Sequence, residues 1–115
     1  MKSKMLMLLG LLAMSTANPG HAGYYAGSNL VTFCESELIH DQNSCRRYLS
    51  GISDAQDTLY RLEFLAERAF CIPDRVTNEQ LRKIFVKYAN EHPQDLKLVA
   101  SGMAINAFRV AYPCE

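Results

Sequence analysis

No charge sign dominates this chain: twelve Lys and Arg stand against twelve Asp and Glu. That balance supplies no field to gather nucleic acid or anionic lipid. Apolar runs are short as well. Met5–Met14 has ten residues, about half of the roughly 20 that a bilayer core requires, which excludes a spanning helix there. No C-x-x-C pair is present, which removes the usual zinc and dithiol redox motifs. Phosphate-binding glycine loops, calcium loops, Asn-Gly or Asp-Gly hairpin turns and internal repeats are absent too.

What is present begins with a leader. Lys2 and Lys4 precede the apolar Met5–Met14, and Asn18, Pro19 and Gly20 break the helix ahead of small residues. This is the pattern of a secretory signal peptide over residues 1–22, cut after Ala22 or, by the same small-x-small rule, after Ala17. Setting aside Lys2 and Lys4 leaves ten basic residues against twelve acidic ones, a net charge of −2 with His neutral. The expected product is one small domain, residues 23–115, exported to the periplasm and free of the membrane once cut.

Export gives the cysteines their meaning. Cys34, Cys45, Cys71 and Cys114 all fall after the leader, and an even set in an oxidising compartment predicts two structural disulfides. His40 and His92 stand at no ligand spacing from them, so neither a metal nor a cofactor is expected.

Hydrophobic periodicity predicts about four helices. The first covers about Asn29–Leu38, with Leu30, Phe33, Cys34 and Leu38 on one stripe. A polar connection, His40 to Ser44, follows. The second helix is the longest, from about Cys45 to Ala66, its stripe made of Cys45, Tyr48, Leu49, Ile52, Ala55, Leu59, Leu62 and Ala66. Gly51 interrupts it, which a close helix crossing would justify. The apolar stretch from Phe64 to Ile72, closed by Pro73, reads as a buried turn carrying Cys71 into the core. Thr77 and Gln80 form a capping box that opens the third helix. Leu81, Ile84, Phe85, Tyr88 and Ala89 give that helix its apolar face, with Arg82, Lys83 and Lys87 on a solvated one. The fourth starts at Pro93 and carries Leu96, Val99, Ala100, Met103, Ala104, Ala107 and Phe108. The expected fold is all-α, a small antiparallel bundle with two disulfides.

That arrangement selects the pairing. The ends of the second and fourth helices share one end of an up-and-down bundle, which joins Cys71 to Cys114. Cys34 faces Cys45 across the first interhelical turn. Pairing Cys45 with Cys114 would span opposite ends, beyond the roughly 4.4–6.8 Å allowed between Cα atoms. Loop closure then contributes about 3 kcal/mol for Cys34–Cys45 and about 4 kcal/mol for Cys71–Cys114.

Catalytic signals are thin. His40 and His92 have no Ser or Cys nucleophile at hand, and bridged cysteines leave no thiolate. The carboxylate pairs Asp54/Asp57 and Glu63/Glu67 lie close to Arg61 and Arg68, as expected of solvated ion pairs. The reading is a protein that offers a surface and has no catalytic residue. The candidate partner contacts are Asp74, Arg75, Glu91 and His92, in the expected loops Asp74–Thr77 and Asn90–His92.

The chain after the leader also resembles the Tai family, immunity proteins against type VI secretion amidase effectors of Gram-negative bacteria. The likeness runs from about Gly27 to Cys114. It rests on Cys34 and Cys45 followed by Tyr48-Leu49-x-Gly51-Ile52-x-Asp54-Ala55, then Phe70-Cys71-Ile72-Pro73, Val76-Thr77-x-x-Gln80-Leu81, His92-Pro93, Ala107-Phe108 and Pro113-Cys114. The resemblance implies a periplasmic helical inhibitor, often a homodimer, that occludes the active-site cleft of a cell-wall amidase. Its structural residues fall here on the four cysteines and Gly51. An alternative from another class is a periplasmic stress or chaperone-like protein that exposes apolar surface in acid.

Overall fold

The computed structural model describes residues 24–115, so the expected leader and both cleavage sites lie outside the described residues. Four α-helices form: α1 (Gly27–Glu35), α2 (Ile39–Arg61), α3 (Asn78–Glu91) and α4 (Ala100–Ala111). A 3-10 helix, Pro93–Lys97, precedes α4. Among the described residues the only extended pairing is a single bridge, Ala26 with Val99. The class is all-α, as the periodicity predicts.

Every α-helix packs against the other three around one core. Leu30, Leu49, Leu81, Phe85, Met103, Ala104 and Phe108 are buried there. Ala100, Ala104 and Ala107 let neighbouring elements approach α4 closely, each being at most 1% exposed. Both predicted disulfides are present, with Cα atoms 5.1 Å apart for Cys34–Cys45 and 5.0 Å for Cys71–Cys114.

Several boundaries differ from expectation, each for a physical reason. His40 to Ser44 is not a loop, because α2 starts at Ile39 and absorbs it. The turn is made earlier by Ser36, whose Oγ accepts from Leu38 N (3.1 Å) and donates to Asp41 Oδ2 (2.7 Å). Gln42 Nε2 donates to Ser36 O at 2.8 Å, so side chains that read as turn formers instead close a helix start. Asp41 in the first turn also suits the positive end of the helix.

The fourth helix starts at Ala100 rather than Pro93. Leu98 and Val99 stay extended because their surroundings take up the backbone of the first element. Gly27 N donates to Leu98 O (2.7 Å) and Ala100 N donates to Tyr25 O (2.8 Å). Consequently α1 and α4 begin side by side. Gly27 sits against α4: a Cβ there would lie 2.5 Å from Met103 Sδ and 3.2 Å from the Asp95 and Leu96 carbonyls. Gly51, by contrast, has nothing within 4 Å of its Cβ position, so no helix crossing requires it.

The third helix keeps its predicted start. Thr77 Oγ1 accepts from Gln80 N (3.2 Å), and Gln80 Oε1 accepts from Thr77 N (2.8 Å). Its neighbour Glu79 ties three helices together. Arg46 Nη1 donates to Glu79 Oε2 at 2.7 Å, while Arg82 grips the same carboxylate and also donates to Cys34 O at 2.8 Å. Arg82 is therefore not on the solvated face expected for it, although Lys83 and Lys87 are exposed. The two guanidiniums, Arg82 first, hold the Glu79 carboxyl down at about 2.

Candidate functional site

The length of α2 creates the site. Its 23 residues span about 34 Å, against 14, 12 and 9 residues in α3, α4 and α1. The first half of its apolar stripe, Cys45 and Leu49, is buried, whereas Ala55, Leu59 and Leu62 are exposed. Shorter partners leave the far half of the stripe uncovered.

At that end the chain turns sharply. Glu63 N donates to Tyr60 O (3.1 Å) and Phe64 N donates to Leu59 O (2.9 Å). This is a Schellman closure with its left-handed position at Glu63, φ 62°. Glycine normally takes such a position, and a side chain there costs about 1 kcal/mol. The turn throws Leu62 outward at 61% exposure and Phe64 at 74%, beside the partly exposed Leu59 and Tyr60.

The segment returning from this turn is firmly held. Gln56 Nε2 donates to Phe70 O (3.0 Å), and its Oε1 accepts from Ala69 N (2.6 Å) and Phe70 N (3.1 Å). The Phe70 ring is buried edge-on against Phe108, centroids 5.2 Å apart. Cys71 N donates to Tyr112 O at 2.8 Å next to the Cys71–Cys114 bond. Arg68 lies 4.0 Å over the Tyr60 ring and donates to Asp57 Oδ1 (3.0 Å), while Arg61 Nε donates to Asp57 Oδ2 (2.7 Å). These two guanidiniums, Arg68 first, lower the Asp57 carboxyl below its ordinary value. The expected buried turn is thus corrected: Phe70 enters the core, but Cys71 remains exposed and Phe64 faces outward.

Between α2 and the returning segment lies a polar cleft of about 460 Å³, lined by Asp54, Asp57, Arg61, Arg68 and Asp74 among others. Arg61 and Arg68 pair with Asp57 there, and Asp54 and Asp74 add two further carboxylates to the lining.

The four candidate contacts do not form one site. Asp74 lines the cleft and Arg75 follows it in the exposed turn before α3. Glu91 and His92 are at the other end of α3, whose 14 residues rise about 21 Å. His92 stacks on Tyr88 (centroids 4.0 Å, planes 13° apart), with Nδ1 3.0 Å from Tyr88 O, and Glu91 pairs with Lys87 at 3.8 Å. Tyr88 itself donates to Asp95 Oδ2 at 2.5 Å; burial first and then this carboxylate push its phenol up to about 12. Periodicity marked Leu59 and Leu62 as apolar but assigned them to the core. The signal for their exposure was the length of the second stripe relative to the others.

His40 is exposed with Nε2 3.3 Å from Asp41 Oδ1. Among the described residues no group of three or more His, Cys, Asp or Glu comes together to hold a metal, and all four cysteines are bridged. No helix among them is long and apolar enough to cross a membrane.

In comparison with known proteins, a family model described as Rap1a immunity proteins matches residues 26–114. No curated protein and no solved structure matches the chain.

Proposed function

The chain belongs to the Rap1a immunity protein family, and from this we propose that it neutralises a type VI secretion effector that is a peptidoglycan amidase, by occluding its active-site cleft. The observation that carries the reading is Phe64, an aromatic side chain 74% exposed at the end of an uncovered apolar stripe. Water-exposed aromatic anchors of this kind dominate binding energy when a partner encloses them. The Gln56 clamp, the Phe70–Phe108 contact and the Cys71–Cys114 bond fix the turn beforehand, which limits the entropy lost on binding. Asp54, Arg61 and Asp74 supply a polar rim, and Arg75 extends it. Glu91 and His92 belong to a separate contact at the far end of α3.

The protein acts by binding rather than by catalysis, and its place of action is the periplasm, where an amidase meets the cell wall. Two disulfides accord with that location, as does the leader expected from the sequence over residues 1–22. The chaperone-like alternative has less support. It needs an acid-driven opening of the fold, whereas the family matched is one of immunity proteins.

The test is co-expression with an exported amidase encoded beside this gene, directed to the periplasm. Rescue from lysis and a stable complex are expected, and light scattering of the free protein reads whether it is a homodimer. Lysis that proceeds unchanged, with no complex formed, overturns the reading.

A further inference from the structure

The two disulfides occupy opposite environments. Cys34 and Cys45 are fully buried among α1, α2 and the start of α3. Cys71 and Cys114 are exposed, and both line a surface recess of about 470 Å³ with Tyr60, Glu67, Arg68 and Glu115. We propose that Cys71–Cys114 is a thiol-exchange site, opened by a dithiol reductant while Cys34–Cys45 stays closed, and that its opening loosens the cleft wall from Cys71 to Val76.

Exchange requires a thiolate to reach a disulfide sulfur, so access separates the two bonds. Charge adds nothing to that access: Arg68 in the recess is engaged by Asp57, and Glu67 and Glu115 lie beside it. One thiolate of the reductant attacks either Cys71 or Cys114, forming a mixed disulfide and releasing the other cysteine as thiolate. The second thiolate of the reductant then displaces the remaining cysteine. Two electrons pass to the protein, both cysteines end as thiols after protonation, and the reductant leaves as its own disulfide.

The consequence follows from what else holds the wall. Upstream, Gln56 and the buried Phe70 ring secure residues 69 and 70. Beyond Phe70, the backbone has one bond to α4's end, Cys71 N to Tyr112 O, and one local turn, Val76 N to Pro73 O (3.1 Å), while the Ile72 and Val76 side chains pack half-buried against the core. Removing the covalent tie leaves the exposed Asp74 held by that turn and by the packing of Ile72 and Val76. The significance of this for inhibition rests on the occlusion reading, but the exchange chemistry does not.

Oxidised protein is treated with dithiothreitol under native conditions, free thiols are trapped with iodoacetamide, and the labelled peptides are mapped by mass. Label at Cys71 and Cys114 at least 10-fold faster than at Cys34 and Cys45 is expected. Retained helical circular dichroism and faster amide exchange at Cys71–Val76 in the trapped form are expected with it. A double variant, Cys71→Ser with Cys114→Ser, should reproduce that exchange pattern if it folds; the trapped wild type decides in either case. Equal rates at the two bonds, reduction only with loss of helix, or unchanged exchange at Cys71–Val76 overturns the proposal. No effector enters this experiment, so its outcome and that of the lysis assay are independent.

Discussion

Gln56 holds the backbone of Phe70 from both sides: its Nε2 donates to the carbonyl at 3.0 Å and its Oε1 accepts from the amide at 3.1 Å. A single helical side chain thereby does what a strand partner would do, for a segment that has no strand to join. With Ala69 N also donating to Oε1 at 2.6 Å, three bonds converge on one amide group.

Gln56→Ala removes all three and is expected to cost about 2 kcal/mol, because net hydrogen bonds contribute about 1 kcal/mol each and the freed backbone groups regain only some water contact. Urea unfolding measures the loss. Amide exchange should quicken first at Ala69 and Phe70, and a variant as stable as wild type would refute the clamp.

Phe64→Ser should separate binding from stability. The side chain is largely in water already, so the unfolding free energy is expected to stay within about 0.5 kcal/mol of wild type. Affinity for the inhibited amidase should fall at least 10-fold, about 1.4 kcal/mol. Calorimetric titration of both forms reads the difference, and equal affinities would exclude Phe64 from the interface.

The two glycines should respond with opposite sign. Gly51→Ala places a methyl group in open space on a helix and should stabilise by about 1 kcal/mol. Gly27→Ala drives a methyl into Met103 Sδ and two backbone carbonyls, at an expected cost of about 2 kcal/mol. Denaturant midpoints of the pair test this, and a shift of the same sign in both would contradict the packing described.

Acid should weaken the fold through Glu79. Its carboxyl is lowered from 4.5 to about 2, so its contribution is present above pH 4.5 and is lost as pH falls through the folded value. Between pH 4.5 and 2, wild type should lose about 1 kcal/mol more than Glu79→Gln, a figure reduced because the carboxylate is about a third exposed. Parallel stability curves for the two proteins across that window would rule the triad out.

Much of the fold is legible in the chain because it is written at short range. The stripes on α3 and α4 repeat every three or four residues, and Thr77 and Gln80 cap each other within one turn. The cysteine pairs expected from the chain are the ones that form. The site was less legible. Leu59, Leu62 and Phe64 carry an apolar pattern that reads the same whether a neighbour covers it or not. Asp74 lies in a polar turn, and that turn lines the cleft.

The sequence by itself determined an all-α class, a four-helix order and which cysteines meet, since each depends on periodicity or on direction along the chain. Tertiary structure alone decided that α4 begins at Ala100, that Glu63 turns left-handed, and that α2 outruns its partners. Those outcomes depend on bonds between distant residues, such as Gly27 with Leu98 and Gln56 with Phe70, and on how far neighbouring helices reach. Neither quantity is encoded within a few residues of the position it governs.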